Sequence, residues 1–360
     1  GLLIEEARTN LTTYSEDFTH SSWSKTGLTA AAASQTGPDG QASMSTITVS
    51  STNSTHEMLQ SAVATSANAV MTSSVIVRAG TGRYVGLRLY GRADRWSTAV
   101  FDLTTASVTQ ESVGATSGTI LSSNIENIGG GLYRLSLTAF NSWDSNLFVV
   151  QLHNTGTPTM NIYGGDSWLG AGETIELGFM QHEAGSFPTS YIPTSGSTAT
   201  RAMDLAEIPT SAFGYNNDKG SIAVEFDSNR PIGQGYGAFV LSDGSPTNRL
   251  LLYVSNQGQY RGFVVSSGAV QADVFAGSGG APSELVKFAV GFSDNNFAVS
   301  LNGATAVTDT SVTIPSGLSK LALGYFYPTD PNTNLLNGHI KSIQYYPRQL
   351  TNTQLQELTT

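Results

Sequence analysis

The chain of 360 residues contains no cysteine. Disulfides, cysteine metal sites and thiol catalysis are therefore excluded. Charge is also scarce. Asp, Glu, Lys and Arg together make 12% of the residues, about half the usual share. The balance is acidic, 17 Lys plus Arg against 27 Asp plus Glu, a net charge of −10. No basic block exists. A phosphate backbone is held by clustered Lys and Arg, so no nucleic acid is expected as a partner. An anionic membrane surface is unsuited for the same reason. No apolar run approaches the length of a membrane-spanning helix, and no membrane insertion is expected. The sequence starts at Gly1 with neither a Met nor a signal-like segment, and reads as a piece or processed product of a longer chain.

Ser, Thr, Asn and Gly stand where charge is missing, as in extracellular β-proteins and viral surface proteins. Hydrophobic residues at 39% and aromatics at 9% supply real cores. Period-two alternation dominates. "SVIVRAG", "RYVGLRLYG", "STAVFDL", "LYRLSLTAF", "NLFVVQLHN" and "TIELGFMQHE" follow one another, separated by Gly, Ser, Asn and Asp. Beyond residue 204 come "GSIAVEFDS", "GAFVLSDG", "RLLLYVSN", "YRGFVVSS", "LVKFAVGFS", "NFAVSLNG", "KLALGYFY" and "HIKSIQYYP". Only "TNTQLQEL" has a helical pattern. The spacing predicts an all-β chain of two antiparallel β-sandwich domains in tandem. The first covers 1–184 and the second 205–360. Between them lies "HEAGSFPTSYIPTSGSTATRAMD", with linker composition but three apolar residues, Phe187, Tyr191 and Ile192. Pro188 and Pro193 favour extended backbone there. The segment 185–204 is expected to be an ordered linker, pinned to the first sandwich by those three side chains.

The first half resembles the carbohydrate-binding jelly-roll modules of bacterial glycanases and phage tail or fibre proteins. "ARTNLTTYSEDFTHSSWSKTG", "PDG", "VIVRAGTGRYVGLRLYG", "FDLTTASV" and "GGGLYRLSLTA" carry the likeness, in that order. "ETIELGFMQHEAGSFPTSYIPTSGSTATRAMD" resembles a segment recurrent in phage structural proteins. The second half resembles laminin-G or concanavalin A-like sandwiches, through "LVKFAVGFSDNNFAVSLNGATA", "KLALGYFY" and "LLNGHIKSIQYYPRQLTNTQLQEL". The resemblance implies a phage tail, fibre or head-decoration protein at the extracellular surface of a virion. Its implied partners are a bacterial surface glycan, other virion proteins and further copies of itself, fibres of this kind being trimers. No heptad or β-helix repeat marks a trimer here.

In "RYVGLRLYGRADRW", alternation sends Val85, Leu87 and Leu89 to one face and Tyr84, Arg88 and Tyr90 to the other. Aromatic rings stack on sugar C–H faces and guanidinium groups donate to hydroxyls. Tyr84, Arg88 and Tyr90, with Arg134 on the same face and Trp96 and Trp143 at the rim, form the candidate glycan site. The alternative is a solvated sheet face with ordinary amphipathic side chains. A second sugar site is drawn from Tyr260, Arg261, Tyr325 and Tyr327.

Jelly-roll modules resembling this one often hold a structural Ca²⁺ where "SEDF" stands. That resemblance implies Glu16 and Asp17 as ligands, joined by Glu176 or Glu183. Asp243 with Asn248 is the corresponding laminin-G-like candidate. Turn chemistry explains the same Asp and Asn residues. "AVEFDS" is similar to the Glu-x-Asp-x-x-Glu series of some concanavalin A-like glycanases, in Glu225 and Asp227. Arg230 stands where the last Glu belongs, so no complete catalytic pair is visible. The histidines form no HExxH, "GGDSWLGAG" has no phosphate-loop context, and no GxSxG elbow occurs. The leading expectation is a non-enzymatic glycan-binding or adhesion protein. A structural decoration or spacer module and a polysaccharide depolymerase are the alternatives.

Overall fold

The computed structural model describes all residues except 61–62, 65–67, 117, 142–144, 280–282 and 327–333. The chain is all-β, with antiparallel strands and, among the described residues, one short 3₁₀ turn and one helix, Asn352–Leu358. It divides into two compact units, Arg8–Arg201 and a second made of Gly1–Ala7 with Ala202–Thr360.

In the Arg8–Arg201 unit two sheets face each other. One runs in the order Thr119–Gly129, Leu132–Asn141, Ala69–Ala79, Thr174–Ala184, Ala42–Val49, Leu28–Ala30. The other runs Ser107–Val113, Arg95–Asp102, Tyr84–Arg92, Ser145–His153, Glu57–Gln60, Trp23–Thr26. Inward-pointing residues fill the space between them, as the pleat requires. Val85, Leu87 and Leu89 are all buried there, with Val75, Val77, Leu135, Leu137, Phe148 and Val150 opposite or beside them.

The alternation slips in the strand that leads to the linker. Strand Thr174–Ala184 carries a β-bulge opposite Val75, where Phe179 takes a positive φ of 56°. An extra residue shifts the pleat by one. Ile175 and Leu177 face the core before the bulge, and Met180 faces it after. Phe179 is left on the outer side, in a small cluster with Met44, Ile76 and Leu132.

That outer cluster is what the linker covers. Tyr191 packs on it and meets Phe179 edge-on at 4.9 Å. Phe187 and Ile192 are buried, and the Arg8 guanidinium lies 4.9 Å over the Phe187 ring. Strand Ala199–Arg201 then pairs with Arg8–Asn10, so the unit's first and last strands close on each other. Each of the two buried side chains contributes roughly 1.5–3 kcal/mol. Native protein should resist cleavage by a low dose of protease between 186 and 196. Ready cutting there, read by mass spectrometry of the first fragments, would show that the segment is not docked.

The second unit also has two sheets. Their orders are Leu2–Ile4, Gly338–Tyr346, Lys219–Phe226, Val286–Ser293, Asn296–Leu301, Val307–Asp309, and Ala206–Pro209, Lys320–Leu323, Tyr236–Ser242, Arg249–Val254, Gln259–Ser266, Ala269–Ser278. The N-terminal residues differ from the expected domain limits of 1–184. Leu2–Ile4 pairs with Gly338–Tyr346, and Ile4 is buried in this unit's core. Glu5 N–H donates to Asp204 and Glu6 N–H to Asn337. The helix is closed at its start by a capping box of Thr351 and Gln354, and Leu355 packs against Ala223, Ala289 and Ala298.

Candidate functional site

The outer face of the sheet containing Tyr84–Arg92 carries the most concentrated polar chemistry described. Four strands build it. Tyr84, Gly86, Arg88 and Tyr90 lie on the central strand. Arg88 pairs in register with Thr98 on one side and Val149 on the other. Two residues along, Gln151 faces Gly86, and Gln151 is itself opposite Glu57 on Glu57–Gln60. Alternation therefore gathers Glu57, Arg88, Thr98, Gln151 and His153 on one surface.

Arg88 is not a free surface guanidinium. It is 2% exposed and forms an ion pair with Glu57 at 2.9 Å. Gln151 donates to the same Glu57 oxygen, Oε2, at 3.3 Å. The other carboxylate oxygen of Glu57 receives no hydrogen bond among the described residues, and the residue is partly exposed. Burial pulls the Arg88 pKa down, and Glu57 opposes it. The guanidinium also sits 4.9 Å from the Tyr90 ring. Tyr90 is half-buried; burial raises its hydroxyl pKa, with the neighbouring Tyr163 and Glu57 adding to the rise against Arg88.

The loop between Ser145–His153 and Trp168–Leu169 roofs the face. Asp166 accepts from His153 Nδ1 at 2.5 Å, and Gln151 donates to Gly164 O at 3.3 Å. The Trp96 indole N–H donates to Ile162 O at 3.1 Å. Two glycines let the backbone come this close. A Cβ on Gly164, whose φ is +75°, would fall 2.5 Å from the Trp96 ring, and one on Gly165 would fall 3.3 Å from Arg88 Nη1. Asn161 folds the loop on itself by accepting from Tyr163 N–H and Gly165 N–H. Tyr163 is left half exposed at the edge. Beneath the roof, Arg88 Nε and Nη1, Gln151 Oε1, His153 Nε2 and Thr98 Oγ1 are buried with no protein partner. Groups of this kind cost about 1–3 kcal/mol each.

Several expected members lie elsewhere. Arg134 belongs to the opposite sheet, where it donates to Ser74 and to Thr189 O, so it holds the linker and does not join Arg88. Trp96 is buried under the loop and does not rim the site. Tyr84 is half-buried under Arg83, on the same face as Arg88. Trp143 and Tyr327 lie outside the described residues.

In the second unit, Tyr260 and Tyr325 are 2% and 1% exposed and belong to the core, the Tyr325 hydroxyl meeting Glu207. They cannot stack on a sugar. Arg261 is on the other side of its strand, paired with Asp273 at 2.7 Å.

The carboxylates proposed for calcium do not converge. Among the described residues no group of three or more His, Asp or Glu is placed to hold a metal. Glu183 is fully buried and spends both oxygens on Gln181 and Thr189. Glu176 is ion-paired with Arg78. Asp17 accepts from Thr19 through one oxygen, while Glu16 is partly exposed near Tyr191. Asp243 closes its own turn through Ser245 and Asn248. The donor set does not fit a calcium cage. Of the carboxylate series in the second unit, Asp227 is bound to His339 and Arg230 is paired with Glu6.

Glu57, Gln151, His153, Asp166 and Tyr163 are the site residues that strand-by-strand reading of the sequence left out. One signal was present for two of them. In "NLFVVQLHN", Phe148, Val150 and Leu152 alternate with Gln151 and His153.

No protein-family model matches the chain, and no curated protein does. Solved structures similar to it include the NanB sialidase of Streptococcus pneumoniae, at 14% identity and a TM-score of 0.37 over 42% of this chain. This chain covers 26% of that one. The CBM40 module of the Ruminococcus gnavus IT-sialidase, bound to α2,6-sialyllactose, is similar at 16% identity and a TM-score of 0.36, over 43% of this chain and 96% of the module. A heptameric SAP-like pentraxin of Limulus polyphemus is similar at 10% identity and a TM-score of 0.30, over 39% of this chain and 70% of that one. The functional site rests on this chain's own residues.

Proposed function

We propose that the chain is a non-enzymatic glycan-binding protein, with sugar held at the rim of the roofed face by Tyr90, Tyr163 and Glu57. One observation carries the reading. Two partly exposed aromatic rings stand beside a carboxylate that has one oxygen committed to Arg88 and Gln151 and the other without a protein partner. Rings offer stacking surface to sugar C–H groups, and the uncommitted oxygen accepts from a hydroxyl. Arg88 acts from below as a positioning residue, fixing both Glu57 and Tyr90. The biological setting we infer is adhesion of a phage virion to a bacterial surface polysaccharide, outside the cell. The phage-like segment that ends in the linker supports this setting. Contacts of this sort are weak singly, so repeated copies would be needed for firm attachment.

A glycan array followed by calorimetry on one hit tests the reading. Tyr90→Ala should weaken binding about fivefold, the loss of roughly 1 kcal/mol expected for one exposed aromatic contact. The variant should keep its fold, because Tyr90 lies outside the core. A folded Tyr90→Ala protein that binds as well as the parent would move the site elsewhere. An array with no hits, together with specific capture of another virion protein, would favour a spacer role. Release of reducing ends from a host polysaccharide would favour a depolymerase.

A further inference from the structure

Resting on the glycan-binding reading, we infer that the site takes an uncharged, hydroxyl-rich sugar and discriminates against sugars carrying a carboxylate or sulfate. Charge on this face is already balanced within the protein. Arg83 is matched by Asp102 and Arg88 by Glu57. Arg88 is almost wholly buried and ion-paired with the more exposed Glu57, so it presents no open cation to an anionic ligand. What faces the ligand is the second oxygen of Glu57, a negative acceptor. A sugar hydroxyl donates to it, whereas a sugar carboxylate is repelled.

The layer below repeats the same preference. Gln151 Oε1 is an acceptor, Arg88 Nε and Nη1 are donors and the Thr98 hydroxyl is both. Hydroxyl groups donate and accept, and they match an interleaved set of this kind. A carboxylate or sulfate only accepts, and satisfies Arg88 while facing the Gln151 acceptor. The net charge of −10 adds long-range repulsion of anions, which salt screens.

The test uses the full chain and matched probes. These are neutral oligosaccharides (cello-, malto-, xylo- and manno-hexaose, lactose) and acidic ones (hexagalacturonate, 3′- and 6′-sialyllactose, sulfated lactose), titrated at low and at physiological salt. At least one neutral probe should bind, with an affinity that salt changes by no more than about twofold. Its acidic counterpart should bind at least about tenfold more weakly. Glu57→Gln should narrow that gap about fivefold, because it removes the negative acceptor but keeps a polar group beside Arg88. Tyr163→Ala, half exposed and safe for folding, should weaken neutral and acidic probes alike and leave the gap unchanged. An acidic probe that binds as tightly as its neutral partner, with affinity falling as salt rises, overturns the inference and leaves the glycan-binding reading standing. Loss of that acidic binding in Arg92→Ala would place the responsible cation in the hairpin after Tyr90, which equally overturns it. Failure of every neutral and acidic probe to bind overturns the glycan-binding reading itself, and the inference with it.

Discussion

Replacing Asn10 with Ala should destabilise the Arg8–Arg201 unit by about 3–5 kcal/mol, as several buried hydrogen bonds are lost at once. Asn10 has no solvent exposure. Its amide N–H groups donate to Met180 O at 3.0 Å and to Ile192 O at 2.8 Å. Its carbonyl accepts from Thr12 N–H, from the Thr12 hydroxyl and from His182 N–H. These partners come from three places: the residues just after strand Arg8–Asn10, the bulged strand and the linker. One side chain therefore fastens the linker to the point where the alternation slips. Removing it takes the Asn10 partner from Ile192 O and from the Thr12 and His182 N–H groups, and leaves Met180 O only the Thr12 hydroxyl at 3.3 Å. Urea unfolding followed by tryptophan fluorescence checks the magnitude, since three of the chain's four tryptophans that are described lie in this unit. Asn10→Asp is the informative companion. It keeps the accepting oxygen and loses both donated bonds, so it should also destabilise, and native proteolysis between 186 and 196 should rise in both variants. A loss under about 1 kcal/mol in Asn10→Ala would show that the linker holds through its apolar side chains alone.

Much of the fold is legible because period two is a direct consequence of the pleat. Val85, Leu87 and Leu89 are core residues, and Phe187 and Ile192 are buried, as their types and spacing suggest. Two features are not legible in this way. The bulge at Phe179 adds one residue, and "ELGFMQHE" reads as unbroken alternation with or without it. The consequence is large: His182 turns inward and Phe179 outward. The strand Leu2–Ile4 pairs with residues more than 330 positions away. Three apolar residues at a terminus carry no information about so distant a partner, which is why the first seven residues fall in the other unit.

The site divides along the same line. Which face Arg88 occupies follows from alternation within its own strand. Whether that face is open depends on the loop after His153, and loop courses are not encoded in strand periodicity. Gly164 and Gly165 could be read as ordinary turn glycines; only the close approach to Trp96 and Arg88 gives them a reason. Arg134 shows the limit from the other side. Its alternation is as clean as that of Arg88, yet its strand belongs to the opposite sheet, and residue pattern alone does not assign strands to sheets. Tyr260 and Arg261 are adjacent, so the pleat has to separate them, one into the core and one to the outer face.

The bulge has a measurable consequence for stability in acid. It places His182 in the interior between the sheets, fully buried, with Nδ1 at 2.8 Å from the Ser73 hydroxyl and the ring stacked 6.0 Å from Phe148. Its other ring nitrogen has no protein partner. Among the described residues no carboxylate faces it; the adjacent Glu183 points the other way and is occupied by Thr189 and Gln181. A charge there is therefore uncompensated, and burial pulls the pKa from the ordinary 6.5 down to about 4. In the unfolded chain the same imidazole takes up a proton at its ordinary pKa. Between the two values the unfolded state binds more protons, so stability rises with pH across that window. The contribution is fully present above about pH 6.5, is lost progressively as pH falls, and is exhausted near pH 4. Its full size is about 3 kcal/mol, from roughly 1.36 kcal/mol for each pKa unit. His182→Asn keeps a polar atom within reach of Ser73 and cannot titrate. Urea midpoints measured from pH 7.5 to pH 4 should fall steeply in the parent and more shallowly in His182→Asn, the difference reaching about 3 kcal/mol at the acid end. Parallel curves for the two proteins would mean that His182 keeps its ordinary affinity for protons, and that the core around it admits a charge.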